Sequence, residues 1–594
     1  MVSAHSLGIL SPCLIKTIWH PIKAGFFLIS IIVALVPVLI YTFITNKFII
    51  ITWDILLTAS SPLSLSFLLD SNGITLIITV IFIASNVLFF TATYIRGDKF
   101  MPRFISLVIS FVFAMCLLVV IPNILTILIG WDGLGLSSYL LVLYYQTPKS
   151  QRAAIITAIT NRLGDIFILF TISWSINTHW LPLIPWSSPR HSIIALIIIV
   201  AAITKSAQYP FIRWLPAAIA APTPVSALVH SSTLVTAGVF ILVRFFETLK
   251  HQQSLELILL FSACLTSLIA GLRALAECDI KKIIALSTLS QLGVMIVRIG
   301  LGAPTLAFFH LITHALFKAL LFLCAGTLIH IHHHSQDLRY IGNLNFQIPS
   351  IASAIIVSNL ALCGTPFLAG FYSKDAILEF RLFNPSSIIV ILLFFFATGL
   401  TVIYTIRFLL TVVWAPINIS PFHPINDIDF FCSLPTFTLA RFSIIGGRAL
   451  NWIIVSPSIE PFLPTHLKFL TLSVCLLGLL FGYMIGSPIT TNSSSLYVSN
   501  FINHAFCIIW FLTPMSTQKI LPVPYWTAHH FSKTLDQGWE EIMGGQGVLL
   551  GLKERRSVVI SPQSNVTVTH IRLSIFIIPI IIIFILNFFL GSLK

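Results

Sequence analysis

Apolar runs of about twenty residues recur along this chain, and they limit it to one class of fold. Residues 24–45 and 74–95, for example, contain no charged side chain. A helix of ~20 residues crosses the ~30 Å hydrocarbon layer of a membrane. Of the 594 residues, 57% are hydrophobic and 9% are charged, whereas soluble proteins carry about 25% charged residues. The sequence therefore predicts an all-α polytopic membrane protein.

The apolar runs predict about fifteen or sixteen transmembrane helices. They lie near residues 24–45, 74–95, 104–121, 122–144, 152–175, 192–214, 225–246, 255–276, 282–300, 304–330, 349–372, 386–414, 435–455, 467–487 and 571–591. Two shorter apolar stretches, at 7–19 and 499–514, are undecided between a span and a connection.

Charge and cysteine content argue against several classes of function. The net charge of +14 comes mostly from cations in short connections, such as Lys281 and Lys282. Such cations orient a membrane protein, so we expect no nucleic-acid partner. The nine cysteines form no Cys-x-x-Cys pair, which argues against iron–sulfur and zinc sites, and we expect no metal. The N-terminus resembles neither a secretion nor an import signal, so we expect synthesis inside the compartment that uses the chain.

Two of the predicted spans contain helix-breaking residues beside a lysine. The first, at 201–210, has Lys205 in mid-run, followed by Pro210 and Pro216. The second contains Cys363-Gly-Thr-Pro366 and Gly370, followed by Lys374. Broken helices at matching places in two halves of a chain are typical of transport sites, where protein or water satisfies the irregular backbone.

Three titratable residues share one face of a single predicted span. His310, His314 and Lys318 are spaced i, i+4, i+8, which aligns their side chains along a helix. Ionisable groups at bilayer depth are costly and indicate function. Histidine and lysine can take up and release protons when their surroundings change, so the row predicts a proton relay. A zinc site is disfavoured because no acidic third ligand lies nearby.

Further ionisable residues lie near the broken segments. Asp132 and Lys205 are candidate partners in proton transfer, although Asp132 could instead cap a helix at the interface and Lys205 could extend to the membrane surface. His230 precedes three hydroxyl residues and is either a relay group or a buried structural histidine. Lys374 and Asp375 could open the route to one aqueous side or form an ordinary ion pair. Arg162 and Asp165 are i, i+3 neighbours and are interpreted as a structural ion pair.

A polar stretch at 515–570 interrupts the last apolar regions. Charged residues alternate there with Trp526, Phe531, Leu535 and Trp539, a mixture that predicts an amphipathic helix along the membrane or neighbouring subunits. The alternative is a mobile loop. The final apolar run would anchor this stretch.

Several motifs occur in one order along the chain, and together they resemble a known family. They are Trp131-Asp-Gly-Leu-Gly135, Asn161-Arg-Leu-Gly-Asp-Ile166, Lys205-Ser-Ala-Gln208, Trp214-Leu-Pro-Ala-Ala218, Pro222-Thr-Pro-Val-Ser-Ala-Leu-Val-His-Ser-Ser232, Asp279-Ile-Lys-Lys282, Ser287-Thr-Leu-Ser-Gln291, His310-x-x-x-His314-x-x-x-Lys318 and Gly370-Phe-Tyr-Ser-Lys-Asp375. The sequence resembles the antiporter-like, proton-pumping subunits of mitochondrial respiratory complex I. The resemblance covers roughly residues 60–410, and the rest is similar in layout.

The resemblance implies two inverted antiporter-like half-channels with broken helices, followed by a lateral amphipathic helix and a terminal anchor. The implied regions are N-terminal helices at 1–100, half-channels at 101–250 and 251–415, C-terminal helices at 416–514, the lateral helix at 515–570 and the anchor at 571–594. Proton translocation across the inner mitochondrial membrane would be driven by NADH oxidation and ubiquinone reduction elsewhere in the complex.

The resemblance also implies the partners and the residue roles. NADH, FMN, iron–sulfur clusters and ubiquinone would belong to partner subunits, with no cofactor in this chain. Partners would be other complex I subunits, especially the neighbouring antiporter-like subunit, and lipids that include cardiolipin. Asp132 would pair with Lys205, His230 would connect them onward to the row at 310–318, and Lys374 and Asp375 would lie on the exit side. The family usually has glutamate where this chain has Asp132, so the shorter side chain requires a closer Lys205 or a bridging water.

Other functions remain open from the sequence. A subunit of a multicomponent cation/proton antiporter shares the core motifs and would work without a redox partner. A plastid quinone-reducing relative is a further alternative. A purely structural arm would give no reason to bury the titratable row in the predicted span at 304–330.

Overall fold

The structure is a computed structural model that describes most of the chain. The described residues are 12–57, 62–175, 190–250, 253–332, 335–383, 387–416, 430–454, 463–486, 505–506, 521–560 and 567–591. The chain divides into two compact units, Met1–Trp510 and Phe511–Lys594.

The first unit is a bundle of membrane-length helices. Its longer helices are α1 (Pro12–Thr45), α2 (Ser71–Tyr94), α3 (Met101–Val120), α4 (Ile124–Val142), α5 (Pro148–Ser175), α6 (Arg190–Lys205), α7 (Thr223–Arg244), α8 (Gln253–Ala276), α9 (Ile280–Gly300), α10 (Pro304–Ile331), α11 (Pro349–Cys363), α12 (Ala369–Phe383), α13 (Ile388–Trp414), α14 (Phe430–Ile454) and α15 (Thr465–Gly486). Short helices lie at Trp214–Ala218, Phe246–Leu249 and Leu344–Gln347, with a 3₁₀ turn at Leu338–Tyr340.

Among the described residues, twelve helices are long and apolar enough to cross a membrane, and α6, α11 and His570–Leu586 contain shorter apolar stretches. These helices confirm the predicted polytopic helical fold. Their bounds match most predicted spans to within a few residues. Of the two undecided stretches, 7–19 continues into α1, whose first residues are 12–19, whereas 499–514 lies outside the described residues except for 505–506.

Three helices form the interior of the first unit. The apolar stretches of α7, α9 and α10 are buried along their whole length by neighbouring helices. α10 packs against α7, α9, α11, α12 and α14. A helix that is apolar on all sides and surrounded by protein is a core helix, and the titratable row therefore lies at the centre of the bundle.

A two-stranded hairpin lies between α1 and α2, where the sequence analysis placed no element. β1 (Ile49–Leu57) pairs antiparallel with β2 (Pro62–Leu69), and the register is irregular between Asp54 and Leu56. β1 is rich in isoleucine, and alternate residues of β2 are buried, as expected of a strand with one covered face. The Asn123 side chain donates to the Ser64 carbonyl at 3.0 Å and ties the hairpin to the start of α4.

Two predicted spans are wrong in their extent, because each is broken. The span predicted at 192–214 ends as a helix at Lys205, and the span predicted at 349–372 divides into α11 and α12. Gly364, which follows α11, has a φ of +85°, a conformation that glycine adopts without the steric cost of a side chain. Both breaks lie beside the lysines that the sequence singled out.

The second unit is helical in its described residues. It contains α16 (Pro522–Phe531), a π-helical segment at Ser532–Glu540, a turn at Glu541–Met543, α17 (Gly545–Ile560) and α18 (Thr567–Gly591). Helix therefore occupies much of the predicted polar stretch and the final apolar run. The placement of α16 and α17 along the membrane stays a prediction.

Candidate functional site

The first broken helix presents Lys205 at its last position. The indole nitrogen of Trp214 donates to the Thr204 carbonyl at 3.0 Å, so a side chain satisfies a carbonyl left over at the helix end. Gln208 turns back and donates to the Ser206 carbonyl at 3.1 Å. The break is thus stabilised by polar contacts inside the bundle, as irregular backbone at membrane depth requires.

The Lys205 ammonium is held by Trp131 of α4. Its Nζ is fully buried, donates to the Trp131 carbonyl at 3.1 Å and lies 4.3 Å from the centre of the Trp131 ring. The same indole donates from Nε1 to Asp165 Oδ1 at 2.7 Å. Trp131 therefore contacts the cation through its carbonyl and its π face, and the Asp165 carboxylate through its edge.

Asp132 pairs with Arg162 instead of Lys205. Arg162 Nη1 lies 3.7 Å from Asp132 Oδ2 and 3.3 Å from Asp165 Oδ2. The direct contact between Asp132 and Lys205 that the resemblance predicted is therefore wrong. Asp165 is connected to the Lys205 ammonium through Trp131, whose indole donates to Asp165 and whose carbonyl accepts from Lys205. The Arg162–Asp165 pair, interpreted from sequence as structural, is therefore part of the electrostatic surroundings of Lys205.

His230 lies in a π-helical segment of α7. The segment spans Ser226–Thr233, and the Thr233 hydroxyl donates to the Leu228 carbonyl, five residues earlier, at 2.8 Å. The His230 side chain is 1% exposed, and neither ring nitrogen has a hydrogen-bond partner among the described residues. Its ring centre lies 6.4 Å from that of Trp214. Hydroxyl side chains that compete for backbone carbonyls favour such local widening, which is frequent at functional sites.

A side-chain hydrogen bond links the first break to a helix of the second half. Thr266 of α8 donates from Oγ1 to Gln208 Oε1 at 2.6 Å, and both residues are fully buried. The two halves predicted at 101–250 and 251–415 therefore share a direct polar contact.

Lys281 and Lys282, interpreted from sequence as loop cations, lie in the first turn of α9. Lys281 is 5% exposed and its Nζ donates to the Ala221 carbonyl at 3.4 Å, so it is a buried lysine that the sequence analysis misjudged. Lys282 forms an ion pair with Asp279. Burial alone would raise the pKa of Asp279, but the hydrogen bond and charge of Lys282 outweigh it and hold that pKa below its usual value.

The central row lies in α10 as predicted from its spacing. His310, His314 and Lys318 are each at most 1% exposed, and the two imidazole centres are 6.2 Å apart. Lys318 Nζ donates to Ser287 Oγ of α9 at 2.5 Å. Neither ring nitrogen of His314 has a hydrogen-bond partner among the described residues. The buried row is therefore continuous in space but only partly hydrogen-bonded.

Both nitrogens of His310 have side-chain partners. Nδ1 lies 2.8 Å from Ser373 Oγ of α12, and Nε2 lies 3.3 Å from Gln291 Oε1 of α9. Because the Gln291 oxygen accepts, Nε2 carries the proton of the neutral ring and Nδ1 accepts from Ser373. Thr313 extends this network, with its Oγ1 at 3.0 Å from Ser373 Oγ. The neutral His310 ring is therefore hydrogen-bonded on both sides, accepting at Nδ1 and donating at Nε2.

The second break places Lys374 against the end of α11. Its Nζ donates to the Leu362 and Cys363 carbonyls at 3.3 Å each and to Thr401 Oγ1 at 3.0 Å. A cation beside the last carbonyls of a helix is favourable. In the described structure, the Asp375 carboxyl lies beside the Thr471 hydroxyl of α15 and forms no ion pair with Lys374. The adjacent side chains of Lys374 and Asp375 therefore reach different elements, which argues against the ordinary ion pair considered from sequence.

Comparisons with known proteins identify the family. The family described as "NADH:quinone oxidoreductase/Mrp antiporter, TM" matches residues 122–401, and "NADH dehydrogenase subunit 5 C-terminus" matches residues 404–587. NADH-ubiquinone oxidoreductase chain 5 of Lumbricus terrestris is 47% identical over 505 residues, which are 85% of this chain and 88% of that relative. The chain belongs to the NADH-ubiquinone oxidoreductase chain 5 family. It is a multi-pass, proton-translocating membrane-arm subunit of that enzyme and assembles with other subunits.

A further member of the chain 5 family agrees with this assignment, and one solved structure shares the fold. The Anopheles gambiae chain 5 is 43% identical over 546 residues, covering 91% of this chain and 94% of that relative. A solved structure of the Mrp complex from Dietzia sp. DQ12-45-1b contains a chain of similar fold, with a TM-score of 0.67 and 22% identity. The match covers 87% of this chain and 61% of that one, so it supports the fold alone.

Several residues of this chain 5 site lacked an assigned role in the sequence analysis. Trp131, Ser287, Gln291 and Ser373 stood inside recognised motifs, but only their contacts show which titratable group each one serves. Thr401 is one hydroxyl in the apolar α13, and its sequence surroundings give no signal. Arg298, a fully buried arginine of α9, could have been noticed as a charge inside a span.

Proposed function

We propose that this chain conducts protons through two linked sites inside the mitochondrial inner membrane. The route begins at Lys205 with Asp132 and Asp165, and it continues past His230. It then follows His310, His314 and Lys318 of α10 and leaves beside Lys374 and Asp375. The observation that carries this proposal is the row on α10, because a structural role gives no reason to bury these titratable groups on one helix face.

The carboxylate cluster beside Lys205 can act as an electrostatic switch. If a unit charge moves from about 4 Å to about 8 Å from the ammonium, its Coulomb energy at an effective dielectric of about 20 changes by about 2 kcal/mol. That change corresponds to roughly 30-fold in proton affinity. Arg162 contacts both Asp132 and Asp165, so a shift of Arg162 would redistribute charge near Lys205. Small movements of α5 would thus be enough to load or unload Lys205.

Protons would cross the central row through histidine nitrogens and inserted water. His310 is already bonded on both sides, by Ser373 and by Gln291. The nitrogens of His230 and His314 have no partner among the described residues, and buried polar groups of this kind commonly bind ordered water. Water at these positions would complete a hydrogen-bonded path from Lys205 to Lys318.

The energy for this transport would come from the rest of the enzyme. NADH, FMN, iron–sulfur clusters and ubiquinone would be bound by partner subunits, and this chain would bind no redox cofactor. The neighbouring antiporter-like subunit would contact the first unit. The helices of the second unit would lie along the membrane arm and anchor it, with cardiolipin among the surrounding lipids.

Substitution of Lys205 tests the proposed function. Complex assembled with Lys205→Ala would be reconstituted into liposomes, and protons moved per NADH oxidised would be measured with a pH-sensitive dye. We expect a clear loss of proton transport per electron, because the first site loses its carrier. Lys47→Ala, at an exposed position after α1, is the control and should behave as wild type. A normal ratio in fully assembled Lys205→Ala complex would refute the role of Lys205.

A further inference from the structure

Arg298 is a buried cation that the proposed route does not use. It lies in the last turn of α9 and is fully buried. Among the described residues, none of its three guanidinium nitrogens has a hydrogen-bond partner. The contact that holds it is aromatic, because its Cζ lies 3.4 Å from the ring centre of Phe380 in α12. A guanidinium offers five N–H donors, so this arrangement leaves hydrogen-bond donors without acceptors in the interior.

The charge of Arg298 is not balanced by a nearby acid in the described structure. Glu379, which precedes Phe380, is directed at Lys468 of α15, with an N–O distance of 4.0 Å. A buried, unbalanced cation requires water around it, so we expect the space beside Arg298 to be hydrated.

The Arg298–Phe380 pair lies beyond His310 along the two helices that hold it. Gln291 and Arg298 are seven residues apart in α9, and Ser373 and Phe380 are seven residues apart in α12. Seven residues are two helical turns, or about 10 Å, and they return to nearly the same helix face. The backbone of Arg298 also accepts hydrogen bonds from Leu301 in the turn that ends α9. The pair thus lies about two helical turns beyond His310, towards the end of α9 at Gly300.

We propose that Arg298 and Phe380 form an ion-excluding plug at the His310 end of the central row. The plug rests on the proposed proton route and adds a separate function to it, namely resistance to passive cation flow. The fixed guanidinium admits neutral water but repels hydronium and metal cations, as an arginine in a narrow pore does. The Phe380 ring holds the guanidinium in place through its π face. Protons on the proposed route leave beside Lys374 and Asp375 and do not cross the plug.

Passive leak is the measurement that tests the plug. Complex containing Arg298→Met would be reconstituted into liposomes, and the decay of an imposed pH gradient would be recorded without NADH under a potassium–valinomycin clamp. We expect the leak to rise about tenfold, equivalent to a barrier lowered by about 1.4 kcal/mol. Arg298→Lys keeps the charge and should leak as slowly as wild type. Arg441→Met, at an exposed position on α14, is the matched control.

The outcomes separate this proposal from the proton route itself. An unchanged leak in Arg298→Met would overturn the plug, and so would an equal leak in Arg298→Met and Arg298→Lys. If Arg298→Met fails to assemble, Arg298→Gln is read in the same assay against the same criteria. Lys205→Ala should lower the protons moved per electron while its passive leak stays at the wild-type level, so failure of the route appears in the pumping assay alone.

Discussion

Trp131 lies between two opposite charges and keeps them out of direct contact. Its carbonyl and ring face hold the Lys205 ammonium, while its indole N–H bonds Asp165. An ammonium and a carboxylate in direct contact stabilise one another strongly at low dielectric and are hard to separate. A neutral residue between them weakens that attraction and leaves the proton on Lys205 exchangeable.

This arrangement predicts that Asp165 contributes more than Asp132 to the first site. Asp165→Asn removes the carboxylate that shares Trp131 with Lys205, and we expect it to lower the protons moved per electron more than Asp132→Asn does. Both substitutions keep side-chain size, so each serves as the control for the other. The pumping assay in liposomes measures the difference. A larger loss in Asp132→Asn would show that the direct family pairing governs transport after all.

At the scale of single residues, sequence reasoning located the titratable groups better than their partners. The i, i+4 spacing of His310 and His314 fixed their shared helix face because helical periodicity is local. The pairing of Asp132 could not be read in the same way. Its partner depends on how α4 packs against α5 and α6, which no local pattern records.

Glycine determines how the second broken helix closes. A Cβ on Gly370 would overlap the Ala361 carbonyl oxygen, so the start of α12 packs directly on the backbone of α11. This close approach brings Lys374 against the final carbonyls of α11. The break was predictable from Cys363-Gly-Thr-Pro366, whereas the close contact between the two helices was not.

Substitution of Gly370 should therefore damage the second site through packing. Gly370→Ala forces α11 and α12 apart, and we expect a loss of about 1–3 kcal/mol, typical of an overpacked interior. Thermal unfolding of the assembled complex should show a lower midpoint, with reduced proton transport. Gly399→Ala is the matched control, because its Cβ would meet Val474 at an ordinary 3.6 Å. Equal midpoints for the two variants would contradict this account.

At the scale of the whole molecule, the fold class followed from composition and the length of apolar runs. The hairpin of β1 and β2 was missed because it is short and lies between long apolar segments, where helical interpretations dominate. The central position of α9 and α10 could not be predicted from the order of spans. It arises from packing between segments far apart in sequence, such as α10 with α14.

Membership of the chain 5 family predicts how the native protein migrates. After gentle solubilisation and native electrophoresis, we expect mass spectrometry to find this chain in the large band that stains for NADH dehydrogenase activity. Assembly with the other subunits of the enzyme, which follows from the family membership, is the physical reason. Recovery only from a smaller band without NADH activity would favour a cation/proton antiporter.

The hydrogen bond between Gln208 and Thr266 has a thermodynamic consequence for the two halves. Suppose that a rearrangement of α8 changes the proton affinity of Lys205 through this bond. A change in the charge of Lys205 then shifts the equilibrium of that rearrangement by the same free energy. Protonation on one side of the bond therefore changes the proton affinity on the other side by the same factor in both directions. Measuring how the occupancy of either site alters the other would give the same coupling factor, so neither half can be the sole controller of its neighbour.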